Sequence, residues 1–192
     1  MELSYSELEK IISTRRSVRP TQFSGEPVSQ HELMRCFEMA NWAPTHGNTE
    51  PWRFIVFGGD SRFVLAKDHI AALLESQPDL PEAKQTKMQL MAEKSSFIIA
   101  VVVQLKTMSK IRDIEEYEAV SCAVQNFHLA AHSQGLAGFW STGGCTFYPE
   151  AQSWLQLDDN QQLMGFFYVG KTDRSLPVIS KGNVSEKIRW VD

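Results

Sequence analysis

Apolar residues recur along this chain with two rhythms, a helical one of three to four residues and short unbroken runs, and together they lay out alternating helices and strands. Leu8, Ile11 and Ile12 form a stripe at helical spacing, and Ser6 and Glu9 stand at capping-box spacing, which predicts a helix over 6–14. Leu33, Cys36, Phe37 and Ala40 fall at i, i+3, i+4 and i+7 and predict a second helix over 29–43. Ser29 and Glu32 repeat the capping-box spacing, and Val28 and Leu33 stand where a hydrophobic staple sits. Trp52 to Phe57 reads as a strand closed by Gly58-Gly59. Helices are expected over 60–75 and 79–94, the latter with an acidic cap and Pro81 in its first turn. The run from Phe97 to Val103 is rich in β-branched residues and reads as a strand buried on both faces.

Residues 105–114 are polar and read as a surface loop near the site. The longest helix is expected over 115–134 with Gly135 as its C-cap. The middle of that helix, Ala119 to Val124, is apolar nearly all round, and its small residues let another helix approach, from this subunit or a second one. A strand at 136–140, a turn from Ser141 to Gly144, a short helix at 149–155 and a strand at 162–169 follow. The tail, 172–192, is mostly polar, yet Ile188, Trp190 and Val191 predict that it packs on something, as an extension wrapped over a partner subunit. The alternation implies a layered domain of helices and strands, but periodicity does not give the strand order.

The stretch between the second helix and the first strand stands out. Ala43-Pro44 ends a helical pattern, residues 45–49 are polar, Gly or Asn, and Pro51-Trp52 opens a core strand. A loop held at both ends suits ligand contacts, although an ordinary helix-to-strand connection has the same composition.

Composition narrows the classes. The 192 residues are 43% hydrophobic and 22% charged with a net charge of −4, as in an ordinary globular domain. With no long run of either charge, nucleic acid and an anionic membrane surface are disfavoured as partners. The N-terminus has no basic region followed by an apolar run, and the longest apolar run is too short to span a bilayer, so a cytoplasmic location is expected. The three cysteines have no metal or redox spacing and read as reduced thiols.

Several chemistries are excluded by motif. The chain has no Gly-x-Gly-x-x-Gly fingerprint, no Walker-type loop and no Gly-x-Ser-x-Gly elbow. His128 and His132 share a helix face, but no third ligand is evident, and no metal site is expected. What remains is a set of donors. Arg15, Arg16, Ser17 and Arg19 follow the first helix, and guanidinium forks match phosphate oxygens, although a solvated basic turn would read the same way. Pro44, Thr45, His46 and Asn48 offer a loop, Trp140, Ser141 and Thr142 an aromatic face and hydroxyls, and Lys181 a further charge. A mononucleotide with one phosphate and a planar ring would use all four groups, and a cofactor that carries the chemistry explains why no acid–base constellation is visible and no catalytic side chain is nominated.

Two motifs carry a family resemblance. Arg15-Arg16-Ser17-Val18-Arg19 is one. The other is Ala43-Pro44-Thr45-His46-Gly47-Asn48-Thr49-Glu50-Pro51-Trp52-Arg53-Phe54, which is similar to an Ala-Pro-Ser-x-x-Asn-x-Gln-Pro-Trp-x-Phe pattern. With Gly138 to Gly143 and Val169-Gly170 in the right order, the chain resembles the nitroreductase family of FMN-dependent NAD(P)H oxidoreductases, most of all its compact YdjA-like subgroup. The resemblance implies an α+β fold of three α-β-α layers around a mostly antiparallel sheet, and a homodimer with an FMN in each of two interface clefts. It assigns Arg15, Ser17 and Arg19 to the phosphate and ribityl chain, with Arg16 adding backbone or charge. It brings Trp42, Thr45 and His46 to the same flavin from the partner subunit and sets Trp140, Ser141 and Thr142 along the ring or ribityl side. Asn48 is expected to hold the loop, and Lys181 matches a basic tail position. By the same resemblance, NAD(P)H reduces the flavin and a nitroaromatic or quinone then takes the electrons. The alternatives within the fold are flavin fragmentation, reductive dehalogenation or a non-enzymatic flavin-binding role. Glu50, where the family has Gln, is expected to cap the loop or pair with an arginine. Trp42 stands at a position often basic in the subgroup and would narrow the cleft.

Overall fold

The computed structural model describes residues 5–106 and 110–191. Its centre is a four-stranded sheet of β1 (Trp52–Gly58), β2 (Phe97–Gln104), β3 (Ala137–Ser141) and β4 (Gln161–Gly170), in the order β1-β2-β4-β3 with every pair antiparallel. The run predicted to be buried on both faces is β2, at the middle of the sheet. Its alternate residues enter two cores. Ile99, Val101 and Val103 pack under α2 (Gln30–Ala40) and α5 (Asp113–Ser133). Ile98, Ala100 and Val102 pack with residues of α3 (Ser61–Ser76), α4 (Glu82–Lys94) and α6 (Pro149–Trp154). The result is the expected three-layer α-β-α arrangement, and each buried valine or isoleucine contributes about 1.5–3 kcal/mol.

Local chemistry explains the boundaries. α2 begins as a full capping box, with the Glu32 backbone donating to Ser29 Oγ and the Ser29 backbone donating to the Glu32 carboxylate. It ends at Ala40 rather than at the expected Ala43. Trp42 and Ala43 instead close turns onto Met39 and Ala40, because the residue before Pro44 is pushed out of the helical region. α1 (Tyr5–Thr14) starts one residue before Ser6, α4 has Pro81 at its N-cap in place of an acidic cap, and α5 begins at Asp113. α5 takes α2 of the same chain as its close neighbour, leaving Glu118, Cys122 and Gln125 exposed. The 105–114 loop falls partly outside the described residues. Its near end is fixed by hydrogen bonds between Leu105 and Asn160, and no helix among the described residues is long and apolar enough to cross a membrane.

Candidate functional site

Downstream of α1 the chain runs extended along the free edge of β3. Ser17 forms a parallel bridge with Gly138, and the Val18 amide donates to the Gly138 carbonyl at 3.0 Å. Extended backbone alternates its side chains. Val18 and Pro20 go into the core that holds α3 and α4, whereas Ser17 and Arg19 stay exposed and Arg15 is half-buried. The arginine-rich motif is therefore one strand with a structural and an open side. Pro20 begins a 3-10 turn, Pro20–Gln22, which ends the strand.

Two cavities flank this strand. One, of about 790 Å³, is lined by Arg15, Arg16, Ser17, Arg174, Pro177 and Lys181 among others. The other, of about 340 Å³, is lined by Arg19, His69, Lys84, Lys87, Ser141 and Gly143, with Leu73, Met88, Met91, Phe139 and Tyr168 as its apolar wall. Arg15 to Arg19 covers about 13 Å of extended chain, and so links a cationic groove to a pocket with an apolar wall and three cations. That donor set fits a ligand with an anion at one end and a flat ring at the other.

The structure joins some of the expected residues and parts others. Arg15, Arg16, Ser17 and Lys181 share the first cavity, and Arg19 and Ser141 share the second. Arg16 has its N–H groups on the carbonyls of Ser13, Arg15 and Pro177, so its side chain ties down the tail rather than presenting a free fork. Trp140 parts from Ser141. Adjacent strand residues point to opposite faces, and the indole packs in the α2–α5 core, its buried Nε1 without a hydrogen-bond partner among the described residues, while Ser141 faces the pocket. Thr142 is exposed on the turn beyond.

The Pro44–Asn48 loop lies apart from both cavities. Trp42 is 81% exposed, and Pro44 and His46 are also open. From beneath, α5 grips the loop. Glu115 Oε2 lies 2.5 Å from His46 Nδ1, and Glu116, almost fully buried, accepts from Thr49 Oγ1 at 2.7 Å. The Thr49 proton is thereby committed to Glu116, so Thr49 accepts from Thr45 Oγ1 (2.7 Å), and Thr45 in turn accepts the Glu50 amide. The His46 hydrogen bond first, then that of Arg112, holds the Glu115 carboxyl below its ordinary range. Asn48 and Glu50 have positive φ, 51° and 47°, in the left-handed region. Asn48 lies in a separate groove with Arg53 and Asn160, and the Glu50 carbonyl accepts from Arg53. The two residues shape the loop through backbone conformation.

His69, Lys84 and Lys87 were missed by sequence reasoning. Lys84 and Lys87 are one turn apart on α4, a spacing too common on exposed helices to signal a site. His69 is a buried polar residue within an apolar pattern, and only the fold brings it against the turn after β3. A Cβ on Gly144 would lie 2.5 Å from its Nε2.

Both the sequence and the layered α-β-α fold match known proteins. Residues 12–171 match the model of the nitroreductase family, and the chain belongs to that family. It is 30% identical to YfhC of Bacillus subtilis over 178 residues, covering 92% of this chain and 90% of that one. It is 28% identical to YdjA of Escherichia coli over 168 residues, 85% and 86% of the two chains. Both are named among NAD(P)H nitroreductases. The fold matches the crystal structure of the FMN-dependent nitroreductase NfnB from Mycobacterium smegmatis in complex with NADPH, with a TM-score of 0.76 at 18% identity, covering 97% of this chain and 99% of that one.

Proposed function

We propose that the protein is an FMN-dependent NAD(P)H oxidoreductase that works as a homodimer and reduces an electron-poor acceptor of the nitroaromatic or quinone type. The observation that carries this is the Arg15–Arg19 strand, with its open side leading from the groove of Arg15, Ser17 and Lys181 to the pocket of Arg19 and Ser141. In this reading Arg15 and Lys181 hold the FMN phosphate through charge-assisted hydrogen bonds, and Ser17 meets the ribityl chain. Arg19 and Ser141 approach the ring, and Phe139 and Tyr168 keep water from its edge. When bound, the flavin accepts a hydride from NAD(P)H and returns the electrons to the acceptor. The chain's own contribution is electrostatic. Arg19, Lys84 and Lys87 line one pocket, and together they favour added negative charge there.

The exposed loop of Trp42, Thr45 and His46 reaches the flavin of the partner subunit in this reading, which accounts for its distance from both cavities in its own chain. The whole chain forms one nitroreductase-like domain, with 172–192 extending over the partner, in a cytoplasmic protein. If NAD(P)H and the acceptor react in turn at one site, double-reciprocal plots of initial rate against NAD(P)H at several acceptor concentrations should give parallel lines. Intersecting lines would contradict the alternation.

The direct test of the site uses Arg15→Ala and Ser17→Ala. Both should lose FMN on purification or dialysis, Arg15→Ala by about tenfold or more in affinity, as expected for loss of an interaction with a charged group. Turnover per bound flavin should change far less. Full FMN content in both variants would remove the phosphate assignment.

A further inference from the structure

We propose that His128 is a positioning residue for Arg15, holding its guanidinium in the orientation that receives the phosphate. The inference rests on the reading of the Arg15 groove given above. His128 lies on α5, 6% exposed, with its ring edge-on to Phe167 at 5.1 Å between centroids. It can come this close to β3 because residue 138 is glycine, where a Cβ would lie 3.1 Å from the imidazole Cδ2. Its Nδ1 is 3.4 Å from Arg15 Nη1. A guanidinium only donates, so Nδ1 must present its lone pair and the ring proton must sit on Nε2. Burial first, then the charge of Arg15, hold the imidazole pKa at about 4 against the opposing hydrogen bonds to the backbone of Arg16 and Gly138, which keeps the ring neutral and the lone pair available.

One turn further on, His132 acts on the same junction. Its Nε2 is 2.8 Å from Thr14 Oγ1, and that hydroxyl donates to the Lys10 carbonyl at 2.5 Å, so Thr14 accepts and His132 donates. Two rings from one helix thus hold the last turn of α1 and the first residue of the cationic strand. α5 is itself anchored in the core by Val120, Val124 and Phe127, and it provides a rigid support. The four-residue spacing of His128 and His132 thus places both rings against the junction between α1 and the cationic strand. With one N–H turned to His128, the guanidinium keeps its other donors for the groove that Arg15 lines.

The test compares apoprotein affinity for FMN and for riboflavin, which share the ring and ribityl chain and differ in the phosphate. His128→Leu should weaken FMN about tenfold, the scale of a hydrogen bond to a charged group, and leave riboflavin within about twofold. His128→Asn, with an amide oxygen near the Nδ1 position, should recover most of the loss. Arg15→Ala should narrow the preference for FMN over riboflavin by about tenfold or more, leaving the share held by Lys181, and adding His128→Leu to it should cause little further change. If the leucine variant does not fold, His128→Gln, whose amide falls near Nε2 instead, should replace it in the comparison with asparagine. Equal weakening of FMN and riboflavin, or an unchanged FMN affinity in His128→Leu, would overturn the inference while Arg15→Ala still behaves as expected. An unchanged FMN preference in Arg15→Ala would overturn the groove assignment, and this inference with it.

Discussion

Arg15, Ser17 and Arg19 lie on one side of their strand because extended backbone turns every second side chain the same way, and the buried Val18 and Pro20 fix which way that is. The same residue-scale logic gives a pH prediction. His69 and His128 are each held at about 4, against an ordinary 6.5, by burial first and then by the neighbouring charges of Lys84 and Arg15 respectively. Above about pH 6.5 both rings are neutral folded or unfolded, and no stability is lost. As pH falls from 6.5 toward 4 the unfolded chain takes up protons that the folded chain refuses, and stability drops by on the order of a few kcal/mol. Urea midpoints measured from pH 7.5 to 4 should fall through this window, and His128→Leu should flatten part of the fall. A flat profile would contradict the buried neutral state. The sequence made the arginines and the hydroxyl legible because charge pattern and position relative to a helix end are local. It did not reveal that Arg16 spends its donors on carbonyls, or that Trp140 turns away from Ser141, because both depend on which side of the sheet a residue faces.

Among the elements, β4 carries the most constrained position. Gly165 has φ of 127° beside the register shift in the β2–β4 ladder, and an added Cβ would lie 2.4 Å from the Ser141 carbonyl oxygen. Gly165→Ala should therefore cost about 2 kcal/mol or more, from backbone strain and overlap with a backbone atom that cannot swing aside. Chemical denaturation reads this directly, and a loss under about 0.5 kcal/mol, the scale of a benign surface change, would contradict the geometry. Most elements were legible because their signals are local. The α2 capping box and the unbroken apolar run of β2 both appear as expected. The end of α2 lies earlier than expected because the apolar stripe itself stops at Ala40, where the helix ends, whereas the visible breaker, Pro44, comes later in the sequence. Strand order was not legible, since β2 and β4 meet through contacts far apart in the chain.

At the scale of the molecule, the tail is the feature that a single chain leaves unsatisfied. Val178 is 98% exposed, Trp190 84% and Val191 83%, and the described tail forms only a short 3-10 turn, Val184–Lys187. Such residues gain by burial on a second copy. Removal of residues 172–192 should convert the dimer to monomer by light scattering and lower FMN content, since Lys181 leaves with the tail. Dimer mass and flavin content that survive the truncation would contradict the wrapped arrangement. The sequence marks the tail's apolar residues, Ile188, Trp190 and Val191, but not what covers them, and all three are exposed on the single chain.

The measurement that bears most directly on the central claim is the visible spectrum of the purified protein before and after anaerobic addition of NADH or NADPH. A bound-flavin spectrum that bleaches within seconds is the predicted result. Absence of flavin even after incubation with FMN, or a bound flavin that neither nucleotide reduces, would contradict it.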